Sequence, residues 1–498
     1  MRRSNYFTMI SAAFMLALSI SCTEKDQCGS ISEGDNVFSA SIEQMQTKTT
    51  ITDEFKVYWE NGELIYINGM LYNATPRADA TKADFSNGTT IKPESPYHAI
   101  YPYTLYVKNQ YVFPTVQFNT GNFGAPMYAE SSTESLEFKN ICGVLCFSLK
   151  GTDKVRSITV TANEALCGAF EMENATSVKL TGTGKSVTLD CGTEGVQLNE
   201  SVATNFYVYL PPKSYSTGMK IFIKSTDGDF FWKTTTTTAN VERNNIYTFN
   251  WNVEFSPTLP GEFSVSSREK VHFSKGNLRA TYDGSKYTWG FYDKQYIKNA
   301  SGNTTIDSQT KGASVDLFGW STNSTNYGIS TSENDSDYSG DFKDWGTAID
   351  NKGTWRTLSN EEWTYLFGTS DQRNGKTKSG VTVDGQAGCT VIVPDDWDIT
   401  SYPLQTEYSM TSTPMTWEQA QMAGMVCFPT PSIRWGSFVP SYYNNLGWYW
   451  SSSDEYEHDS DAEDCAYCVY FDSEFDPIPG DYYIKDSGCA VRLVTKAE

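Results

Sequence analysis

Histidine is nearly absent from this 498-residue chain: there are three, His98, His272 and His458, far apart in sequence. Catalysis built on a histidine base is therefore not expected. His-Glu-x-x-His, Gly-x-Ser-x-Gly, Walker and Gly-x-Gly-x-x-Gly motifs are missing as well, so no enzyme is expected. No run rich in lysine or arginine occurs, and 60 acidic against 38 basic residues leave a net charge of -22. Without a basic footprint, nucleic acid and anionic lipid surfaces are excluded as partners. Beyond residue 22 no stretch approaches the roughly 20 apolar residues of a membrane span.

One short apolar run does occur. Arg2-Arg3 is followed by Ser11-Ala12-Ala13-Phe14-Met15-Leu16-Ala17-Leu18-Ser19-Ile20-Ser21, which ends on Cys22. A basic start, a brief apolar segment and small residues at its end are export features, so residues 1–21 read as a signal peptide. Leu18-Ser19-Ile20-Ser21-Cys22 resembles a bacterial lipobox, which implies lipid attachment at Cys22 and an outer-membrane, cell-surface location. Several acyl chains, at about 0.8 kcal/mol per buried methylene, make such an anchor permanent. An ordinary secretory signal with a coincidental cysteine is the alternative.

Ten cysteines follow Cys22. In an exported chain an even number allows disulfides, whose pairing sequence cannot give; buried free thiols are the other possibility. Cys142 and Cys146 on one strand lie roughly 13 Å apart, beyond the ~7 Å that a bridge can span. Cys465 and Cys468, three apart on a strand, face opposite ways.

Residues 22–36 are polar and Gly/Ser-containing, as a flexible tether would be. From Val37 to Phe255 apolar residues recur with period two, in Leu145/Phe147/Leu149, Phe206/Val208/Leu210 and Ile221/Ile223, with turns at Asn61-Gly62 and Asp227-Gly228. That pattern predicts two β-sandwiches, over 37–140 and 141–255. Ser256-Pro257-Thr258-Leu259-Pro260-Gly261 reads as a linker. Residues 262–498 add two helix starts, Ser359-Asn360-Glu361-Glu362 and Thr416-Trp417-Glu418-Gln419, with Gly424 as a stop, which makes this last domain α+β.

Two clusters in that last domain carry the candidate chemistry. Asp454, Glu455, Glu457, Asp459, Asp461, Glu463 and Asp464 are dense enough in oxygen to hold calcium, with Asp459, Asp461 and Asp464 as candidate ligands. A solvated, self-repelling loop is the alternative, and no other cofactor is expected. Trp435, Phe438, Tyr442, Tyr443 and Trp448 lie among Gly, Ser, Asn and Pro in loop-like sequence, the composition of binding loops with rigid amphipathic rings. With Tyr456, Tyr482 and Tyr483 they form a candidate ligand-binding rim, and packing inside a small aromatic-rich core is the alternative. Residues 468–476 alternate as a strand would, placing Tyr470, Asp472, Glu474 and Asp476 on one face of the same site.

Two family resemblances add expectations. Thr47-Lys48-Thr49, Val57-Tyr58-Trp59-Glu60-Asn61-Gly62-Glu63-Leu64-Ile65-Tyr66-Ile67, Pro126-Met127-Tyr128-Ala129, Gly143-Val144-Leu145 and Leu210-Pro211-Pro212 resemble fimbrillin-like subunits of type V pili. That resemblance implies two transthyretin-like β-sandwiches, a lipoprotein precursor and assembly with other pilus subunits by donor-strand exchange. No arginine lies between Cys22 and Arg77, so an arginine-directed protease has no target there and Lys48 would have to serve. Val271-His272-Phe273-Ser274-Lys275-Gly276-Asn277-Leu278, Asp316-Leu317-Phe318-Gly319-Trp320, Trp355-Arg356-Thr357-Leu358, Leu446-Gly447-Trp448-Tyr449-Trp450-Ser451-Ser452-Ser453 and Ala490-Val491-Arg492-Leu493-Val494 resemble C-type-lectin-like domains of the formylglycine-generating-enzyme and variable-protein type. The Glu-Pro-Asn and Trp-Asn-Asp tripeptides of calcium-dependent sugar binding are absent. Together the resemblances imply a pilus tip or accessory adhesin that accepts a strand and grips a surface glycan or protein, with a lipid-anchored assembly subunit or an exported enzyme on the formylglycine-generating fold as alternatives.

Overall fold

The computed structural model describes residues 36–47, 57–119, 124–304, 310–322, 326–350, 352–368, 370, 373–454 and 464–497. The signal segment, Cys22 and the tether as far as residue 35 lie outside these, while Asn36, its last residue, is buried and donates to the Tyr72 hydroxyl at 2.7 Å. About 44% of the chain is strand and 7% helix, so the fold is mostly β, as the period-two patterning predicts. Among the described residues no helix is long and apolar enough to cross a membrane.

The first strand, Val37–Ile42, alternates and buries Phe38, Ala40 and Ile42. It runs parallel to Ser135–Asn140, with Ser39 opposite Ser135, and antiparallel to Lys82–Ser86, with Phe38 opposite Phe85. This double pairing closes a seven-strand barrel that continues through Met127–Ser131, Tyr97–Tyr101, Leu64–Ile67 and Met70–Pro76. Leu64–Ile67 and Met70–Pro76 are joined at Asn68-Gly69, both at positive φ (39° and 98°), the conformation that an Asn-Gly hairpin turn requires. Trp59 fills the interior, edge-on to Phe85, Tyr101 and Phe138 at 4.9, 5.2 and 5.4 Å. A closed barrel leaves no unpaired edge.

In the second unit, Gly143–Lys150 lies between Thr204–Leu210, antiparallel, and Asn245–Asn252, parallel. The facing sheet is centred on Lys154–Thr161, with Ser186–Asp190 and the hairpin Lys220–Ser225/Phe230–Thr234. Phe147, Leu149, Val155, Ile158, Val160, Phe206 and Val208 pack between the sheets. Val116–Phe118 leaves the neighbourhood of the barrel to pair in parallel with Ser186–Asp190, and Gln46–Thr47 pairs with Asn245–Asn252. Arg243 pairs with Glu43, and Asn140 Nδ2 donates to Asn244 Oδ1 at 2.7 Å, so barrel and sandwich are stitched at several points.

The stretch that reads as a linker is held on both sides. Ser256 bridges to Phe230 and Thr258 to Ser274, while Leu259 is fully buried. Beside it the buried Lys275 ammonium meets Asp229 at 2.7 Å and Asp293 at 3.0 Å, and donates to the Asp227 carbonyl at 2.6 Å. Backbone pairing and an ion cluster thus hold this segment against its neighbours.

In the C-terminal region Lys270–Phe273 pairs with Val494–Lys496, which also pairs with Trp355–Arg356. Helix Asn360–Leu366 begins with a Ser359/Glu362 capping box and Trp417–Met422 with a Thr416/Gln419 box, at the predicted positions. Gly424 follows at φ +96°, and a one-turn helix, Gly346–Ile349, was not foreseen. The nine described cysteines are free thiols, so the disulfide alternative is not realised among them. Cys468 is buried and Cys465 partly exposed, on opposite faces of one strand.

Candidate ligand-binding site

Three antiparallel strands, Leu446–Trp450, Cys465–Asp472 and Ile478–Ile484, form the floor. Alternation divides their side chains between two cores. Tyr449, Val469 and Phe471 join one, whereas Trp448, Trp450, Ala466 and Cys468 join the other. Register sets Trp448 opposite Tyr470, and Tyr470 opposite Ile478. A bulge interrupts the third strand at Gly480, whose φ of +79° suits glycine and which sits beside Asp481.

Over this floor opens a concavity of about 420 Å³, lined by Tyr443, Leu446, Trp448, Tyr470, Ile478, Asp481, Tyr482 and Tyr483. Trp448 is its centre: Tyr470, Tyr483 and Tyr443 surround it at ring separations of 5.2, 5.5 and 5.7 Å, inclined by 44°, 66° and 67°. Such inclined geometry suits aromatic quadrupoles better than face-to-face stacking.

The wall containing Tyr443 is a short turn, Ser441–Tyr443, and a backbone of this irregular kind needs outside support. Lys298 supplies it, donating to the carbonyls of Thr430 at 2.6 Å and Asn444 at 2.9 Å. Burial pushes the Lys298 ammonium below its ordinary range, since no carboxylate offsets its desolvation there. Arg434 is fully buried and donates to the carbonyls of Leu317 and Ser330, both at 3.1 Å, fixing the start of the next turn. In that turn Trp435 and Phe438 exchange two backbone hydrogen bonds of 2.8 Å across Gly436-Ser437.

Charge at the site is negative. Trp448 Nε1 donates to Asp481 Oδ2 at 3.3 Å, and burial holds the Asp481 carboxyl above the usual carboxylate range. Tyr470 donates to Asp472 at 2.8 Å; burial and then that carboxylate push its phenol up to about 12. Tyr483 is likewise pushed up to about 12, by burial. No lysine or arginine is among the lining residues.

Of the residues proposed from sequence, Tyr443, Trp448, Tyr470, Tyr482 and Tyr483 meet in this one concavity. Trp435 stands behind it, 5.8 Å from Tyr443, while Tyr442 and Phe438 are exposed on its shoulder. Two expectations need correction. Trp448 does not sit on a loop: it is a strand residue, only 7% exposed, and presents its ring as floor. The face expected from Tyr470 to Asp476 ends early, because the strand stops at Asp472, whose carboxylate accepts the Glu474 N–H at 2.8 Å and turns the chain. Glu474 and Asp476 are exposed in that turn. Tyr456, Asp459 and Asp461 lie outside the described residues. Asp464 pairs with Lys485 at 2.8 Å, and among the described residues no group of His, Cys, Asp or Glu is arranged to hold a metal ion. Leu446, Ile478 and Asp481 went unnoticed. Leu446 was within reach of the same alternation as Trp448, whereas Asp481 enters only through the bulge.

No family model matches this chain, and no curated protein does. Among solved structures, a candidate cell adhesion protein from Bacteroides uniformis is similar at 16% identity, covering 46% of this chain and 97% of its own, with a TM-score of 0.29. A fimbrial protein from Bacteroides ovatus covers 93% of this chain and 100% of its own at 9% identity and a TM-score of 0.23. The tip fimbrial protein Mfa3 from Porphyromonas gingivalis covers 44% of this chain and 98% of its own at 9% identity and a TM-score of 0.22.

Proposed function

We propose that this chain is a cell-surface pilus subunit, at the tip or accessory to it, that acts by binding and not by catalysis. Its C-terminal region grips a glycan or protein ligand, and its barrel accepts a strand from a neighbouring subunit. The observation that carries the reading is the open aromatic concavity, where five rings, two aliphatic side chains and one carboxylate meet among the described residues. Largely preformed concave sites with few polar groups are where ligands bind. Tyr442, 68% exposed, packs its ring 4.6 Å from Tyr443 and so extends the wall of the concavity to the surface.

Strand acceptance is supported by the place of Val37–Ile42. Removing it leaves two facing edges, Lys82–Ser86 and Ser135–Asn140, and empties the positions of Phe38, Ala40 and Ile42. A groove of that kind captures an extended apolar segment by β-augmentation. Lipidation at Cys22 and outer-membrane attachment complete the proposal.

The test is binding of the full chain to arrays of surface glycans and proteins. Tyr443→Ala and Tyr482→Ala are expected to lose at least about tenfold in affinity, since ring contacts of this kind contribute about 1.4 kcal/mol or more. Undiminished binding by both variants would remove the concavity from the function. Mass spectrometry of the mature N-terminus on isolated pili tests lipidation, processing and pilus membership together.

A further inference from the structure

We propose that the concavity receives a lysine or arginine side chain displayed by a partner protein, a reading that rests on the adhesion function above and narrows its ligand. Trp448, Tyr443, Tyr470 and Tyr483 all line this one concavity, with Trp448 within 5.7 Å of the other three rings, and a cation within about 6 Å of an aromatic face is drawn by its quadrupole. Among the described lining residues the one charged group is the Asp481 carboxylate, oriented by the Trp448 indole N–H, with Asp472 adjoining through Tyr470.

The shape agrees with the chemistry. Leu446 and Ile478 offer aliphatic surface along which the methylene stem of a long basic side chain can lie while its charged head reaches the rings. The chain's charge of -22 draws basic partners in solution. An anionic ligand would be opposed by Asp481. A neutral sugar would gain from the rings and nothing from the field.

The experiment follows the indole N–H signals of the full-length chain, with the Trp448 signal identified by its loss in Trp448→Phe; should that variant not fold, Tyr482→Leu, at an exposed ring, identifies it by displacement. Probes are the N-acetyl methylamides of lysine, arginine and norleucine, and methyl β-galactoside. The Trp448 signal is expected to shift saturably with the lysine and arginine probes at concentrations about tenfold below norleucine, and Tyr443→Leu and Asp481→Asn to weaken each about threefold. Equal response to norleucine, response to the galactoside alone, or no response to the cationic probes overturns the proposal. Array binding that is lost in Tyr443→Leu without any cationic response leaves the adhesion reading standing; array binding indifferent to Tyr443→Leu removes that reading as well.

Discussion

Replacing Phe38 by alanine strikes the strand on which barrel closure depends. Its ring is fully buried and packs edge-on against Tyr72 at 5.2 Å and Tyr97 at 4.8 Å. A buried Phe→Ala change costs about 3–5 kcal/mol, and two lost aromatic pairs place it in the upper half of that range. Against a domain stability of about 5–15 kcal/mol this is a large share. Because Val37–Ile42 is held by two ladders that nothing else bridges, the loss should concentrate in opening the barrel at this strand. About 4 kcal/mol corresponds to roughly a thousandfold faster amide exchange wherever exchange requires that opening. Hydrogen exchange followed by mass spectrometry should find the acceleration in Val37–Ile42, Lys82–Ser86 and Ser135–Asn140, and not in Gly143–Lys150 or Leu446–Trp450. A chain shortened to begin at Gln44 should recover protection of the two edges when a peptide spanning Asn36–Glu43 is added, and the same peptide with Phe38→Ala should fail. Equal acceleration in Gly143–Lys150 and Leu446–Trp450, or no change at the two edges, would refute the view that this strand is a separable plug.

Four further outcomes are expected. Trp448→Ala should cost about 3–5 kcal/mol in chemical denaturation because the ring is buried, whereas Tyr442→Ala, at an exposed ring, should stay within about 0.5 kcal/mol. Lys275→Met leaves Asp229 without its cation, with a penalty near the lower end of the about 3–5 kcal/mol typical of a broken buried pair because Asp293 remains open to water; calorimetry should then separate the transitions of the middle sandwich and the C-terminal region. Asp481 holds its proton more tightly folded than unfolded, so its contribution is full below the unfolded value and is lost as pH rises through the raised one; Asp481→Asn should therefore raise the melting temperature at pH 7 and do so less at pH 3.5. Among the nine described thiols, iodoacetamide should label Cys465 first, because burial pushes Cys146 and Cys167 to about 11 and Cys191 to about 12 and leaves them few thiolates.

Local signals proved readable and distant ones did not. Thr204–Leu210 alternates because one face meets the core, and Ser359 and Thr416 begin helices because each side chain caps its own first turn. Gly143–Lys150 also alternates, at Leu145, Phe147 and Leu149, but it is buried on most of both faces and its parallel partner lies about a hundred residues onward, beyond any local signal. The candidate site divides in the same way. Its aromatic residues are conspicuous in composition, but which of them line the concavity depends on the register between Leu446–Trp450 and Cys465–Asp472.

Composition and periodicity by themselves determined that this is a mostly β chain without a basic face, with a cluster of rings from Trp435 to Trp450 and its helices begun by capping residues, because each of these is written within a few neighbouring positions. Only the tertiary structure decided that Val37–Ile42 closes a barrel against a strand some hundred residues away, that Lys298 and Arg434 hold the turns around Tyr443, and that Trp448 is floor while Asp481 accepts from its indole N–H. Those outcomes belong to pairing register, a bulge and long-range hydrogen bonds, whose energies depend on which surfaces meet and leave no mark on the local order of residues.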